Sequence, residues 1–105
     1  MKPTFCVIYK FVVQPGQDER FIASWKELTR RIHEHCGSLG SRLHRIDGSV
    51  YIAYAQWPTR ETWEEARLTE GQLGDLRAEM RACCESVETR ATLDVVEDFL
   101  KHETS

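Results

Sequence analysis

Two residues on one predicted strand are the first whose types and spacing suit chemistry. Arg42 and His44 flank Leu43, and side chains two apart on a strand leave the same face of a sheet. An imidazole titrates near neutrality and can take a proton from a substrate. A guanidinium offers a fixed fork of donors that can hold the anion left behind. Asp47-Gly48, just downstream, is a two-residue hairpin signal. With Ile46 opposite Ser49, the expected register sets His44 opposite Tyr51, Arg42 opposite Ala53 and Gly40 opposite Ala55, with Trp57 on the same face. That face joins small residues, which leave room, to two polar handles. The other face carries Leu39, Ser41, Leu43, Val50, Ile52, Tyr54 and Gln56 and reads as packing. The structural alternative is that Trp25 or Trp63 fills the space over the alanines and Arg42 meets a carboxylate.

The remaining constellations are less pointed. His33-Glu34-His35-Cys36 is rich in ligand types, but residues two apart on a helix point to different sides, and histidines in a last turn also suit the helix dipole. No CxxC or CxH spacing suggests zinc, so no metal site is expected. Trp25, Trp57 and Trp63 can stack an aromatic ligand or belong to the core. Tyr9 and Tyr54 can donate a hydrogen bond or simply be buried.

The elements that must position these residues follow from periodicity. Phe5 to Val13 is rich in Val, Ile, Phe and Tyr and predicts a strand, ended by Pro15-Gly16. A helix follows from about Gln17 to Cys36, with Phe21, Trp25, Leu28, Ile32 and Cys36 as its buried stripe and Gly37 just past its end. Leu39 to Ile46 and Ser49 to Trp57 are the hairpin strands. Thr59 caps a helix through Arg67, Gly71 marks a break, and Leu73, Leu76, Met80 and Cys83 form a third stripe at helical spacing. Val87 to Val96 alternates and predicts the last strand. This order fits an α+β, ferredoxin-like βαββαβ unit. Helices cover one sheet face only, so the apolar second face calls for a second copy, hence a homodimer.

Composition narrows the function. At 105 residues the chain reads as one domain over 1–105, and no apolar run reaches membrane-spanning length. Net charge of −3 argues against phosphate neutralisation, and thus against nucleic acid. An RNA-recognition module shares the element order, but Ser49 to Trp57 holds neither a basic residue nor a glycine. The N-terminus shows no secretory pattern, so Cys6, Cys36, Cys83 and Cys84 are read as reduced thiols and the expected location is cytoplasmic.

Gly37-Ser38-Leu39-Gly40-Ser41-Arg42-Leu43-His44-Arg45, then Asp47-Gly48 and Ala53-Tyr54-Ala55-Gln56-Trp57-Pro58, resembles the antibiotic biosynthesis monooxygenase (ABM) domain family. Upstream Pro15-Gly16, Phe21 and Trp25 and downstream Glu61-Thr62-Trp63 fit the same pattern, which spans about residues 5 to 96. The resemblance implies a dimeric α+β barrel built from two ferredoxin-like sheets. Some members oxidise polycyclic aromatic phenols with molecular oxygen and no cofactor; others degrade haem. The haem-degrading members rely on an Asn, a Trp and a His, and the phenol-oxidising members on an Asn with Trp, Tyr and Arg. This chain has no Asn, and no His between Arg45 and Lys101, which disfavours haem.

The expected function is a cofactor-independent monooxygenase acting on an aromatic or quinone-type small molecule. His44 is the expected base and Arg42 the anion partner, with Trp25, Tyr51, Trp57 and Trp63 as apolar walls. The alternative is a non-catalytic dimeric barrel that binds a small hydrophobic ligand or regulates.

Overall fold

The computed structural model describes residues 2–68 and 72–101; the expected break at Gly71 lies outside them. The elements are β1 (Phe5–Val13), α1 (Asp18–Cys36), β2 (Ser41–Asp47), β3 (Val50–Trp57), α2 (Arg60–Arg67), α3 (Gln72–Arg81) and β4 (Cys84–Asp94). The strands form one antiparallel sheet in the order β2-β3-β1-β4. This is the ferredoxin-like α+β arrangement expected from the element order.

Local chemistry sets the boundaries. Asp18 and Glu19 lie in the first turn of α1, and Gly37 ends the helix at φ 78°, a left-handed conformation that glycine adopts without steric cost. Glu27 accepts from Arg31 at 3.0 Å across one turn of its polar side. Thr59 stands before α2 with extended backbone, and its hydroxyl accepts from the Thr62 amide at 3.1 Å.

The core lies between the helices and one sheet face. Phe11, Val13, Phe21, Leu28, Tyr51, Ala53, Leu73, Met80 and Cys83 form one buried cluster. Phe5, Val7, Ala55, Trp57, Trp63 and Ala66 form a second beside it. Odd residues of β1 from Phe5 to Val13 supply the helix-side face, paired with Trp57, Ala55, Ala53 and Tyr51 on β3. The other face carries Cys6, Ile8, Val12, Ile52 and Tyr54, and among the described residues no helix covers it.

Two registers depart from expectation, each through a bulge. In the hairpin, Asp47 pairs with Val50 and Arg45 with Tyr51, leaving Ile46 as the extra residue. The turn is therefore Gly48-Ser49 rather than Asp47-Gly48, with Gly48 at φ 52°. Ile46 escapes the ladder into solvent at 60% exposure. Every side chain of β2 thereby changes face relative to the two-residue expectation. In β4, Val87 and Thr89 pair with Phe11 and Tyr9, but Ala91 and Leu93 pair with Ile8 and Cys6. The irregularity between them splits the alternation, so these four residues do not share one face.

Candidate functional site

The register correction moves the two residues that sequence spacing singled out. Arg42 pairs with Tyr54 and His44 with Ile52. Both stand exposed on the helix-free face, away from Tyr51, Ala53, Ala55 and Trp57. Ser41, Leu43 and Arg45 take the helix-side positions instead, opposite Ala55, Ala53 and Tyr51. Arg42 borders a separate solvent-open groove with Leu39, Tyr54, Gln56 and Leu100.

Room over the alanines does exist. A cavity of about 150 Å³ lies between the sheet and helices α1 and α3. Ala53 and Ala55 belong to its floor, Trp25, Leu28 and Ile32 to its α1 wall, and Met80 to its α3 wall. Trp57 lines it from the end of β3. Of the four expected wall residues, Trp25 and Trp57 therefore line the cavity. Tyr51 and Trp63 do not touch it.

Each of those two has a different task. The Tyr51 hydroxyl donates to Asp18 Oδ2 at 2.6 Å and accepts from Arg45 Nη2 at 2.8 Å. Trp63 is buried against Phe5, ring centroids 5.4 Å apart, and its Nε1 donates to the Tyr9 hydroxyl at 2.9 Å. Tyr9 lines the cavity, so Trp63 acts on the site through Tyr9. Burial pushes the Tyr9 phenol above its usual range, opposed by the Trp63 hydrogen bond and the charges of Arg67 and Arg77. At neutral pH Tyr9 is a neutral phenol that accepts from Trp63 and keeps its own proton for an acceptor in the cavity.

Two residues that line the cavity also carry buried donors without partners among the described residues. Trp57 Nε1 and Arg77 Nε are buried and make no hydrogen bond, although Arg77 Nη2 donates to the Ala66 carbonyl at 3.2 Å. A buried N–H left unpaired costs free energy that a ligand acceptor would recover. Arg77 and the exposed Arg81 both line the cavity; among the described residues no carboxylate, histidine or thiol does. The lining hydroxyls are those of Ser38, Ser41, Thr29, Tyr9 and Thr89. Ser38 Oγ accepts from the Gly40 amide at 3.0 Å, and Ser41 Oγ donates to the Tyr54 carbonyl at 3.1 Å. The arrangement is an apolar slot whose ionisable groups are a phenol and two guanidiniums. It suits a flat molecule that presents acceptor oxygens.

Sequence reasoning missed Tyr9 as a lining residue and missed Arg77 altogether. Both leave a signal. Tyr9 shares parity with Val7 and Phe11 on β1. Arg77 lies four residues after Leu73 and three before Met80, a cation on an apolar stripe. His33 has a local role: its Nδ1 donates to the Ser38 carbonyl at 2.6 Å, just beyond the end of α1.

Comparison with known proteins follows the same fold. The sequence model of the antibiotic biosynthesis monooxygenase family matches residues 4–85. No curated protein sequence matches the chain. Among solved structures, SnoaB, a cofactor-independent oxygenase from Streptomyces nogalater, is similar with a TM-score of 0.78 at 16% identity, covering 92% of this chain and 97% of that one. A candidate antibiotic biosynthesis monooxygenase from Caulobacter crescentus CB15 has a TM-score of 0.75 at 20% identity, covering 91% and 92%. One from Bordetella bronchiseptica has a TM-score of 0.77 at 18% identity, covering 91% and 100%.

Proposed function

Because this chain belongs to the antibiotic biosynthesis monooxygenase family, we propose that it is a cofactor-independent monooxygenase of an aromatic, phenol- or quinol-type small molecule, working as a homodimer. The observation that carries the reading is the cavity between sheet and helices, lined by the donor-bearing side chains of Tyr9, Trp57 and Arg77. The similarity to SnoaB, itself a cofactor-independent oxygenase, supports it.

The substrate supplies the electrons. A ring methylene flanked by phenol and carbonyl groups loses a proton and becomes an electron-rich anion. That anion reduces dioxygen, and a carbon–oxygen bond forms to give a peroxide. Cleavage of the O–O bond leaves one oxygen in the product as a carbonyl and releases the other as water. The methylene and one O2 become one carbonyl and one H2O, so no external reductant enters. The protein holds the charge: Arg77 and the Tyr9 and Trp57 N–H and O–H donors stabilise the developing oxyanion. The apolar walls exclude water and strengthen those interactions. Arg77 takes the anion-holding part that sequence spacing gave to Arg42. Among the described residues no side-chain base lines the cavity, so the proton leaves to solvent.

Oxygen uptake by the purified protein on two-ring 1-naphthols, with anthrones as the three-ring comparison, tests this. The expected result on the naphthols is one O2 consumed per product, with 18O from O2 in the new quinone carbonyl. Absence of uptake above the uncatalysed rate across that set would leave a ligand-binding barrel without this chemistry.

A further inference from the structure

We infer that the cavity selects a one- or two-ring aromatic acid, bound as its oxyanion, over a polycyclic one. The inference rests on the proposed oxygenase site and names its substrate class.

Size is the first argument. The cavity measures about 150 Å³, the volume in which a protein interior takes up benzene, whereas drug-sized pockets run from about 300 Å³ upward. One ring fits over Ala53 and Ala55 between Trp25 and Met80. A second ring extends to the mouth, where the exposed Arg81 lies. Leu28 and Met80 line the same cavity and are buried in the main core cluster, so widening it there for a third ring disturbs a packed core.

Charge is the second argument. Every ionisable residue lining the slot, among those described, is cationic or a neutral phenol. Trp57 Nε1 and Arg77 Nε are buried donors without acceptors. An oxyanion satisfies both needs at once, while a neutral ring leaves the guanidinium uncompensated. A weak acid that binds as its anion releases its proton to solvent, and its apparent acidity rises in the site.

The test uses probes that bind without reacting, under anaerobic conditions, followed by quenching of tryptophan fluorescence and by calorimetry. 2-Naphthoate, an acid, is compared with 2-naphthamide, its neutral counterpart, and with anthracene-2-carboxylate, which adds a ring. The expected result is binding of the bicyclic acid at least tenfold tighter than either comparator. R77Q should remove that preference for the acid, chiefly by weakening binding of the acid itself. 2-Naphthol, un-ionised at neutral pH, should release close to one proton on binding, read as a buffer-dependent enthalpy. Equal affinity for acid and neutral counterpart, tighter binding of the three-ring probe, or no binding of any probe would each overturn the inference. Oxygen uptake is not a readout here. Selective acid binding without turnover removes the oxygenase proposal alone, and turnover of polycyclic phenols removes this inference alone.

Discussion

The Tyr51 hydroxyl donates a 2.6 Å hydrogen bond to Asp18 Oδ2, tying the middle of the sheet to the first turn of α1. Ser49 donates to the other oxygen at 3.0 Å, and Arg45 stacks its guanidinium 5.2 Å from the Tyr51 ring centroid while donating to its hydroxyl. The hairpin and the helix that walls the cavity are thus held by one carboxylate. Tyr51 is a strut, and that explains why it is buried on the cavity's side of the sheet without lining it.

Tyr51→Phe removes the strut's bond and leaves the ring. A melting temperature lower by about 4–8 °C is expected for loss of a typical hydrogen bond in a domain this small. The pH dependence follows from Asp18. The Tyr51 hydrogen bond, joined by that of Ser49 and the Arg45 charge, holds the Asp18 carboxyl below its ordinary value of 3.8 against the opposing effect of burial. A depressed carboxylate contributes stability above its unfolded pKa and loses it as pH falls through the lower folded value. The stability gap between wild type and Asp18→Asn should therefore be constant from pH 5 to 7 and shrink below about pH 4. A gap undiminished at pH 2 would contradict this account.

Tyr9 and Trp63 form the second testable pair. Tyr9→Phe should lower turnover about 10²-fold, the usual loss when one oxyanion donor is removed. Trp63→Phe keeps an aromatic against Phe5 but removes the donor to Tyr9. With that stabilisation of the phenolate gone, Tyr9 should titrate at still higher pH, visible in the tyrosinate absorbance. Turnover falling with no shift in that titration would mean Trp63 acts only as packing.

Arg42 and His44 make the control. Both are exposed on the face away from the cavity. Arg42→Ala and His44→Ala should leave ring-probe affinity within about twofold, because neither side chain lines the cavity. Loss of turnover in His44→Ala would return a catalytic base to β2 and overturn the release of the proton directly to solvent.

These pairs also locate what the sequence could and could not reveal. Helix α1 was legible because its stripe from Phe21 to Cys36 and its Gly37 terminus agree. β1 was legible to the residue because eight of its nine positions, all but Lys10, are apolar or aromatic and Pro15-Gly16 follows. The face of Arg42 and His44 was not. It depended on Ile46 staying in the ladder, and a bulge is a tertiary choice that a local turn signal does not encode. One residue of slip exchanged the two faces of β2. The alanine floor survived because Ala53 and Ala55 lie on β3, whose pairing with β1 does not pass through the bulge. Arg77 was overlooked because only apolar residues were counted along the stripe of α3.

Thiol reactivity should follow burial. Burial, with the neighbouring Cys83, pushes the Cys84 thiol up to about 11. At pH 8 only about one Cys84 in a thousand is thiolate. All four cysteines are free, and fresh protein without reductant should show the mass of four thiols. Under brief iodoacetamide treatment at pH 8, peptide mapping should find Cys84 and the buried Cys6 and Cys83 essentially unlabelled, with Cys36 modified first. Rapid labelling of Cys84 would mean that β4 opens where it begins beside Val13.

The helix-free face makes the last prediction. Ile8, Val12, Ile52 and Tyr54 line it, and Val96, Phe99 and Leu100 stand beside its edge at 89%, 95% and 61% exposure. Pro3, Cys6, Tyr54 and Leu93 border a broad groove with that C-terminal segment. So many exposed apolar side chains on one side of a small domain indicate a surface that is covered in solution. A second copy of the same face is the cover we propose, since both sheets then lie between their own helices and each other. Sedimentation at micromolar concentration should give twice the chain mass. Phe99→Asp removes a ring whose burial is worth about 1.5–3 kcal/mol. Because two copies are lost per dimer, the dissociation constant should rise by at least a hundredfold and bring monomer into view. The cavity opens on the other side of the sheet, so the released monomer should still bind the acidic ring probe. A wild-type chain that sediments as a stable monomer at micromolar concentration would sink the dimer.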